Sequence, residues 1–126
     1  ESVLPDYDAL LAIGVNAAAT KMTIETVARN DIGPIADVLG EVRGSGPIDP
    51  RLPQNIAATL WTGELLCETE DWTQSTNAGN YLCNYLFFRA AISQPNKRIG
   101  FLHVPKFETL KKTDQERILG LNLRAL

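Results

Sequence analysis

Segments with the apolar pattern of buried strands alternate along this chain with segments that have helical spacing. Residues 7–15 form a continuous apolar run, which is typical of a strand buried on both faces of a sheet. A second such run covers residues 98–104, and residues 21–29 alternate between apolar and polar as a strand does. Strands that alternate with helices favour an α/β sandwich with a mostly parallel sheet.

The remaining segments predict three helices, a further strand and a loop. Apolar spacing predicts helices over 56–65 and 82–90, and the capping box Thr113-Asp114-Gln115-Glu116 predicts the start of a last helix. A short polar strand is expected at 71–75. Residues 31–53 hold most of the prolines and several glycines, which indicates a long surface loop and not a linker between domains.

Length and charge narrow the class of protein. A chain of 126 residues is expected to form one domain. Its net charge of −3, without blocks of like charge, does not indicate nucleic-acid binding. No apolar run reaches membrane-spanning length and no signal peptide is evident, which predicts a soluble protein. Cys67 and Cys83 lie in unlike contexts, so a disulfide framework is not expected and a cytoplasmic location is favoured.

One cysteine and the single histidine of the chain carry the most chemical interest. Cys83 follows a Gly-containing turn; if Asn80 is the N-cap, Cys83 is the third helical residue, where backbone N–H groups and the helix dipole stabilise a thiolate. His103 ends a predicted strand, and Glu25 on a neighbouring strand could hold its imidazole in one tautomer. By residue type, these three match the nucleophile, the base and the orienting group of a catalytic triad.

Each of these residues also has an interpretation that involves no catalysis. A cysteine at a helix start is often a small buried hydrophobe, a histidine before Val-Pro is often a packing residue, and Glu25 could be a solvated strand residue. Cys67 is expected in core or helix-end packing without chemistry. A metal site would need more ligands than one histidine and two dispersed cysteines supply.

Two segments together resemble a known active-site signature. Ala78-Gly79-Asn80-Tyr81-Leu82-Cys83-Asn84 and Gly100-Phe101-Leu102-His103-Val104-Pro105 are similar to the cysteine and histidine motifs of pyroglutamyl-peptidase I, the cytoplasmic pyrrolidone-carboxylate peptidases. Residues 24–30 are similar to the strand of that family that bears the catalytic glutamate, at Glu25. The resemblance extends from about Tyr7 to the C-terminus.

The resemblance implies a fold, an activity and a set of site residues. The fold would be the three-layer α/β/α sandwich with a mostly parallel sheet, of the phosphorylase/hydrolase-like kind. The activity would be that of a cysteine omega-peptidase that removes N-terminal pyroglutamyl residues from peptides, without a cofactor and often as a homo-oligomer. Catalysis would fall to Cys83, His103 and Glu25, while Tyr81 and Leu82 would border the pyroglutamyl ring.

The chain departs from the family pattern at three places. It starts after the strand and the Gly-Phe-x-x-Phe-Gly loop with which members begin, so residues 1–126 are expected to be an N-terminally incomplete single domain. Ala19 stands where members have arginine, and residues 31–35 lack another arginine that members carry. A catalytically impaired or non-enzymatic descendant acting in binding or assembly is therefore the alternative. A thiol redox protein is less favoured, because no Cys-x-x-Cys spacing occurs.

Overall fold

A computed structural model describes residues 8–36, 39–40, 42–61 and 68–123. In chain order its strands are β1 (Ala9–Val15), β2 (Met22–Glu25), β3 (Val27–Arg29), β4 (Ile35–Ala36), β5 (Val42–Arg43), β6 (Asn55–Ala57), β7 (Trp72–Ser75) and β8 (Arg98–Val104). Its helices are α1 (Leu82–Ser93) and α2 (Lys112–Leu123). Within these ranges neither helix is long and apolar enough to cross a bilayer.

The main sheet has four strands in the order β1-β8-β2-β7. The outer pairs β1–β8 and β2–β7 are parallel, whereas the central pair β2–β8 is antiparallel. Two small antiparallel ladders, β3–β6 and β4–β5, lie beside it. The prediction of an α/β fold with a mostly parallel sheet is confirmed, since parallel pairs flank the one antiparallel pair.

Strand β8 contributes side chains to two apolar cores. Alternate residues of a strand point to opposite faces of the sheet. On one face β8 packs with α1 in a cluster of Ala28, Ile32, Ile48, Ala78, Phe87, Phe88, Ile99 and Phe101. On the other face it packs in a cluster that includes Ile118 of α2, formed by Met22, Ile24, Leu60, Trp61, Trp72, Leu102, Val104 and Ile118. The sheet is thus the middle layer of three.

The alternating segment 21–29 forms two strands and not one. Thr26 interrupts it: the backbone N–H and the hydroxyl of Thr26 both donate to the carbonyl of Ser75, and its carbonyl accepts from the N–H of Ala58. The chain changes partners at this point, so β2 stays in the main sheet while β3 pairs with β6. The period-2 pattern continues through the break, which is why the sequence does not show it.

The helix predicted over 56–65 is wrong for the part that the structure describes. Asn55–Ala57 is strand β6, and the N–H groups of Thr59 and Leu60 donate to the carbonyl of Ile99 instead of to a preceding turn. The helical spacing arose because Ile56 packs against one core and Leu60 against the other. Residues 62–67, and with them Cys67, lie outside the described residues.

The last helix is where the sequence predicted it, but its start differs. Helix α2 begins at Lys112, so the capping-box residue Thr113 lies inside the first turn. The buried side chain of Gln115 donates instead to the carbonyls of Pro105 and Leu110, and it fastens the helix to the end of β8.

The segment 31–53 is more than a surface loop. It contains the β4–β5 ladder and an antiparallel bridge between Ile32 and Gly46. Ile32 and Ile48 are buried in the core on the α1 side. The buried Asn30 side chain holds the end of the segment: it donates to the carbonyls of Asp49 and Leu52 and accepts from the N–H of Asp49.

Gly100 offers a test of the packing around β8. A Cβ atom at this position would lie 2.8 Å from Leu60 Cδ2 and 2.9 Å from Leu60 Cβ, so Gly100→Ala is expected to lower the free energy of unfolding by about 1–3 kcal/mol. Gly120 of α2 is the matched control, because its Cβ would meet no atom within 4 Å and alanine is the better helix former, by up to about 1 kcal/mol. Urea denaturation measures both. A Gly100→Ala protein as stable as the wild type would contradict this packing.

Candidate active site

The only histidine of the chain forms a buried hydrogen bond with a glutamate on the adjacent strand. In the antiparallel β2–β8 pair Glu25 lies opposite Phe101, two residues before His103, so both side chains lie on the α1 face. His103 Nδ1 is 2.7 Å from Glu25 Oε2, and both side chains are almost fully buried. The ring of Phe101 packs on the imidazole with centroids 4.9 Å apart. Glu25 is therefore not a solvated strand residue.

This hydrogen bond selects one tautomer of the imidazole. An ionised carboxylate can only accept a hydrogen bond, so Nδ1 of His103 carries the proton when Glu25 is charged. The lone pair of a neutral His103 then lies on Nε2, the other ring nitrogen. An imidazole held in this way can act as a base through Nε2.

The thiol of Cys83 lies over β1, the strand that pairs with β8 beside His103. In the parallel β1–β8 pair Gly14 is the register partner of His103. A Cβ atom on Gly14 would lie 2.8 Å from Cys83 Sγ and 3.1 Å from Phe101 Cζ, so the sulfur occupies the space that a side chain would fill. The glycine thus brings the thiol onto the same face and the same end of the sheet as His103.

Helix α1 starts at Leu82, as its apolar spacing predicted, but its N-cap is not Asn80. Tyr81, in extended backbone conformation, is the N-cap, so Cys83 is the second helical residue and not the third. Asn80 lies one residue before the N-cap, and its backbone carbonyl accepts a 2.6 Å hydrogen bond from the N–H of Gly33. Cys83 remains in the first turn, where backbone N–H groups lack acceptors within the helix.

The environment of Cys83 does not favour the thiolate as the sequence suggested. Burial raises the pKa of the Cys83 thiol above its ordinary value, and the negative charge of Glu25 raises it further. The site therefore holds a neutral thiol near neutral pH. A nucleophile in this state needs a base at the moment of attack, which is the function that Nε2 of His103 can supply.

Asn84, directly after the cysteine, fixes the start of the helix. Its side chain is fully buried, accepts from the N–H of Arg29 and donates to the carbonyls of Arg29 and Asp31. Asparagine is a poor helix former, so its position one residue after Cys83 was a signal of a tertiary hydrogen bond that sequence analysis missed. Gly14 inside an apolar strand was a similar missed signal of close approach.

Cys83 and His103 line one open cleft of about 380 Å³. Tyr81, predicted to border a substrate ring, lies in it and is 59% exposed, whereas Leu82 is 67% exposed and is not among the lining residues. The full lining is Val15, Asn16, Ala17, Asn77, Ala78, Gly79, Tyr81, Cys83 and His103. In the part of the chain that the structure describes, no three His, Cys, Asp or Glu side chains group closely enough to hold a metal ion.

A thiol, an imidazole and a carboxylate arranged in this way suit acyl transfer through a cysteine nucleophile. The sequence matches the family model for pyroglutamyl peptidase over residues 4–119. The chain therefore belongs to the pyroglutamyl peptidase family, whose members are cysteine peptidases.

Relatives and solved structures agree with this assignment. The chain is 28% identical to pyrrolidone-carboxylate peptidase of Bacillus subtilis over 134 residues, which cover 94% of this chain and 60% of that protein. It is 31% identical to pyrrolidone-carboxylate peptidase 2 of Caldanaerobacter subterraneus, covering 78% of this chain and 52% of that protein. Pyrrolidone carboxyl peptidase of Thermus thermophilus superimposes with a TM-score of 0.78 at 27% identity, covering 94% of this chain and 70% of that one. The chain thus spans between half and two thirds of the curated relatives it matches.

The raised pKa of Cys83 predicts how the alkylation rate of its thiol depends on pH. Only the thiolate reacts with iodoacetamide, so the alkylation rate of Cys83 should rise with pH with a midpoint above that of an ordinary thiol. Glu25→Gln removes the nearby negative charge, which lowers the pKa of Cys83 and moves the midpoint to lower pH. No Lys or Arg lies between Cys67 and Cys83, so cleavage after Glu68 or Glu70 is used to separate the two thiols, and mass spectrometry of the peptide that contains Cys83 measures the rate.

The control is Glu116→Gln, an exposed carboxylate on α2 that should leave the midpoint where it is in the wild type. A midpoint below the ordinary thiol value, or one that Glu25→Gln does not move, would contradict the electrostatic description of the site.

Proposed function

We propose that this chain is a cysteine omega-peptidase that removes an N-terminal pyroglutamyl residue from peptides through an acyl-enzyme on Cys83. Membership of the pyroglutamyl peptidase family supports the substrate class. The observation that carries the mechanism is the 2.7 Å hydrogen bond between His103 and the buried Glu25, beside the cleft that His103 shares with Cys83. The alternative is a family descendant that has lost activity and serves in binding or assembly.

The first step forms the carbon–sulfur bond. As Cys83 Sγ attacks the acyl carbon of the pyroglutamyl residue, its proton passes to Nε2 of His103. The carbonyl π electrons move to oxygen and produce a tetrahedral oxyanion. Glu25 stabilises the imidazolium that results, because the hydrogen bond at Nδ1 becomes an ion pair between charged groups. The same carboxylate therefore orients the base before attack and pairs with the imidazolium after it.

The second step releases the peptide. The N–H of Cys83 lies in the first turn of α1, where it is free to donate to the oxyanion. When the oxyanion collapses, the bond between the acyl carbon and the peptide nitrogen breaks, and His103 gives its proton to the leaving amine. The product left on the protein is a thioester between Cys83 and the pyroglutamyl group. Removal of one oxyanion-hole donor from a known acyl-transfer enzyme costs about 2.7–4 kcal/mol.

Hydrolysis of the thioester restores the site. Water gives a proton to Nε2 of His103 and attacks the acyl carbon. The carbon–sulfur bond then breaks, free pyroglutamate leaves, and the proton returns from His103 to the sulfur of Cys83. The net reaction consumes one water molecule, and it needs no further reactant.

Tyr81 is the better supported of the two predicted substrate contacts. It lines the cleft with Cys83, and its aromatic ring offers an apolar surface for an uncharged lactam ring. Leu82 is not among the residues that line the cleft, so its contact with substrate stays a prediction from the family resemblance. Self-association also stays a prediction. The exposed apolar side chains Ile13, Leu82 and Leu86 are consistent with it, and light scattering of the purified chain would test it.

Hydrolysis of a chromogenic pyroglutamyl amide tests the proposal. Cys83→Ala and His103→Ala should each lower kcat/KM by about a thousandfold or more, because the nucleophile and its base act as one unit. Glu25→Gln should lower it by about a hundredfold or more, since the imidazole loses its fixed tautomer and its counter-charge. Burst kinetics with this substrate would reveal the acyl-enzyme.

Cys67→Ala is the matched control, since it also removes a thiol but from a residue without a proposed role, and it should retain wild-type kcat/KM. Hydrolysis by Cys83→Ala at the rate of this control would overturn the assignment of the nucleophile. A folded wild-type chain that hydrolyses no pyroglutamyl amide would favour the binding or assembly alternative.

A further inference from the structure

A polar groove continues from the catalytic cleft on the far side of the turn that contains Asn77 and Gly79. These two residues line both the cleft with Cys83 and the adjoining groove. The groove has two connected parts that share Arg29 and Asn77. The residues that complete its lining are Val27, Asp31, Asn55, Thr76 and Asn80.

The side chain of Arg29 lies on the groove face of the small β3–β6 ladder. Ala28 is fully buried in the core, so its neighbours in β3, Val27 and Arg29, lie on the opposite face. Asn55 of β6 is the register partner of Arg29 and lines the same groove. The face therefore presents one cation together with the amides of Asn55 and Asn77.

Arg29 is held close to the nucleophile by hydrogen bonds to its backbone. The side chain of Asn84, the residue after Cys83, bonds both the N–H and the carbonyl of Arg29. Arg29 is half-buried, and its guanidinium forms no hydrogen bond or ion pair with another described residue. The backbone of Arg29 is thus fixed, and its guanidinium can donate two parallel hydrogen bonds, the geometry that matches a carboxylate.

The chemistry of the substrate decides which of its groups Arg29 can meet. In a pyroglutamyl peptide the lactam has consumed the terminal amine, so the group on the acyl side carries no charge. An anion can therefore lie only on the leaving side, as the carboxylate of a short peptide or an acidic side chain. Asp31 lines only the part of the groove next to Asn80, so an anion beside Arg29, Asn55 and Thr76 avoids that carboxylate.

We propose that this groove is the subsite for the leaving side of the substrate. Arg29 makes it selective for peptides in which the residue that follows the pyroglutamyl residue carries a carboxylate. The assignment rests on the proposed function, because it takes Cys83 as the point of cleavage. Short pyroglutamyl peptides with a free C-terminal carboxylate are the substrate class that it favours. Arg29 determines specificity and takes no part in bond making.

The test compares pyroglutamyl-alanine, which has a free carboxylate, with pyroglutamyl-alanine amide, which has none. The wild-type chain should show a kcat/KM about three- to tenfold higher for the free acid, mainly through a lower KM. Arg29→Gln should bring this ratio close to one, and Arg29→Lys should restore part of it because the charge returns. Higher salt should reduce the wild-type ratio.

Arg98→Gln is the matched control. Arg98 is exposed at the start of β8, at the opposite end of that strand from His103, and its loss should leave the ratio at the wild-type value. Calorimetric titration of the Cys83→Ala protein with the two ligands measures the same preference without turnover. This arm keeps the assignment testable whether or not the wild-type chain is active.

Four results separate the possible failures. Equal binding of acid and amide by Cys83→Ala, or a preference that Arg29→Gln leaves intact, would overturn the role of Arg29. Absence of hydrolysis together with an Arg29-dependent preference in binding would contradict the peptidase activity and support the subsite. A preference lost equally in Arg29→Gln and Arg98→Gln would show a general charge effect and would overturn the assignment to this groove.

Discussion

The hydrogen bond between His103 and Glu25 joins the two central strands of the sheet at the site. It requires β2 and β8 to be neighbours in antiparallel register, since only then does Glu25 lie diagonally opposite His103 on one face. The rest of the sheet is arranged around this pair: β1 lies parallel to β8 and brings Gly14 beside His103, while β7 pairs with β2. A hydrogen-bonded carboxylate in the core contributes little net stability, because desolvation offsets the hydrogen bond. Its presence in the core is better explained by chemistry than by stability.

The same carboxylate influences both partners of the proposed reaction. Through the hydrogen bond at Nδ1, Glu25 orients the imidazole so that Nε2 is the nitrogen left to act as a base. Through space, its negative charge raises the pKa of Cys83 and keeps the thiol protonated. A neutral thiol beside an oriented base differs from a preformed thiolate–imidazolium pair, because proton transfer then accompanies attack on the substrate. A buried thiol in this state is also less reactive toward adventitious electrophiles.

Sequence patterns predicted the elements that carry the site, and they failed where tertiary hydrogen bonds override local signals. The apolar run of β8 and the start of α1 near Cys83 were predictable from residue type alone. The break at Thr26 was not, because it depends on hydrogen bonds to Ser75 and Ala58, which are distant in sequence. The helix predicted from residue 56 does not form in the described part for the same reason, since the N–H groups of Thr59 and Leu60 bond to Ile99 of β8.

At the site too, the residue types were predictable from the sequence, whereas the properties that depend on tertiary contacts were not. The residue types of Cys83, His103 and Glu25 pointed to acyl transfer, and the structure brings the three side chains to one face of the sheet. The helix dipole, which favours a thiolate, acts within the local turn, whereas burial and the charge of Glu25 raise the pKa of Cys83 and so have the opposite effect. The anchoring by Asn84 and the groove around Arg29 need the folded chain, because β3 and α1 meet only there.

Nitrogen NMR of the imidazole tests the central claim, that Glu25 holds His103 as a base directed through Nε2. The chain has one histidine, so the two ring-nitrogen signals of a labelled sample need no further assignment to a residue. At a pH where the imidazole is neutral, the spectrum should show a proton on Nδ1 and none on Nε2, and Glu25→Gln should weaken that preference. A neutral imidazole that carries its proton on Nε2, or one whose tautomers are equally populated in the wild type, would contradict the account.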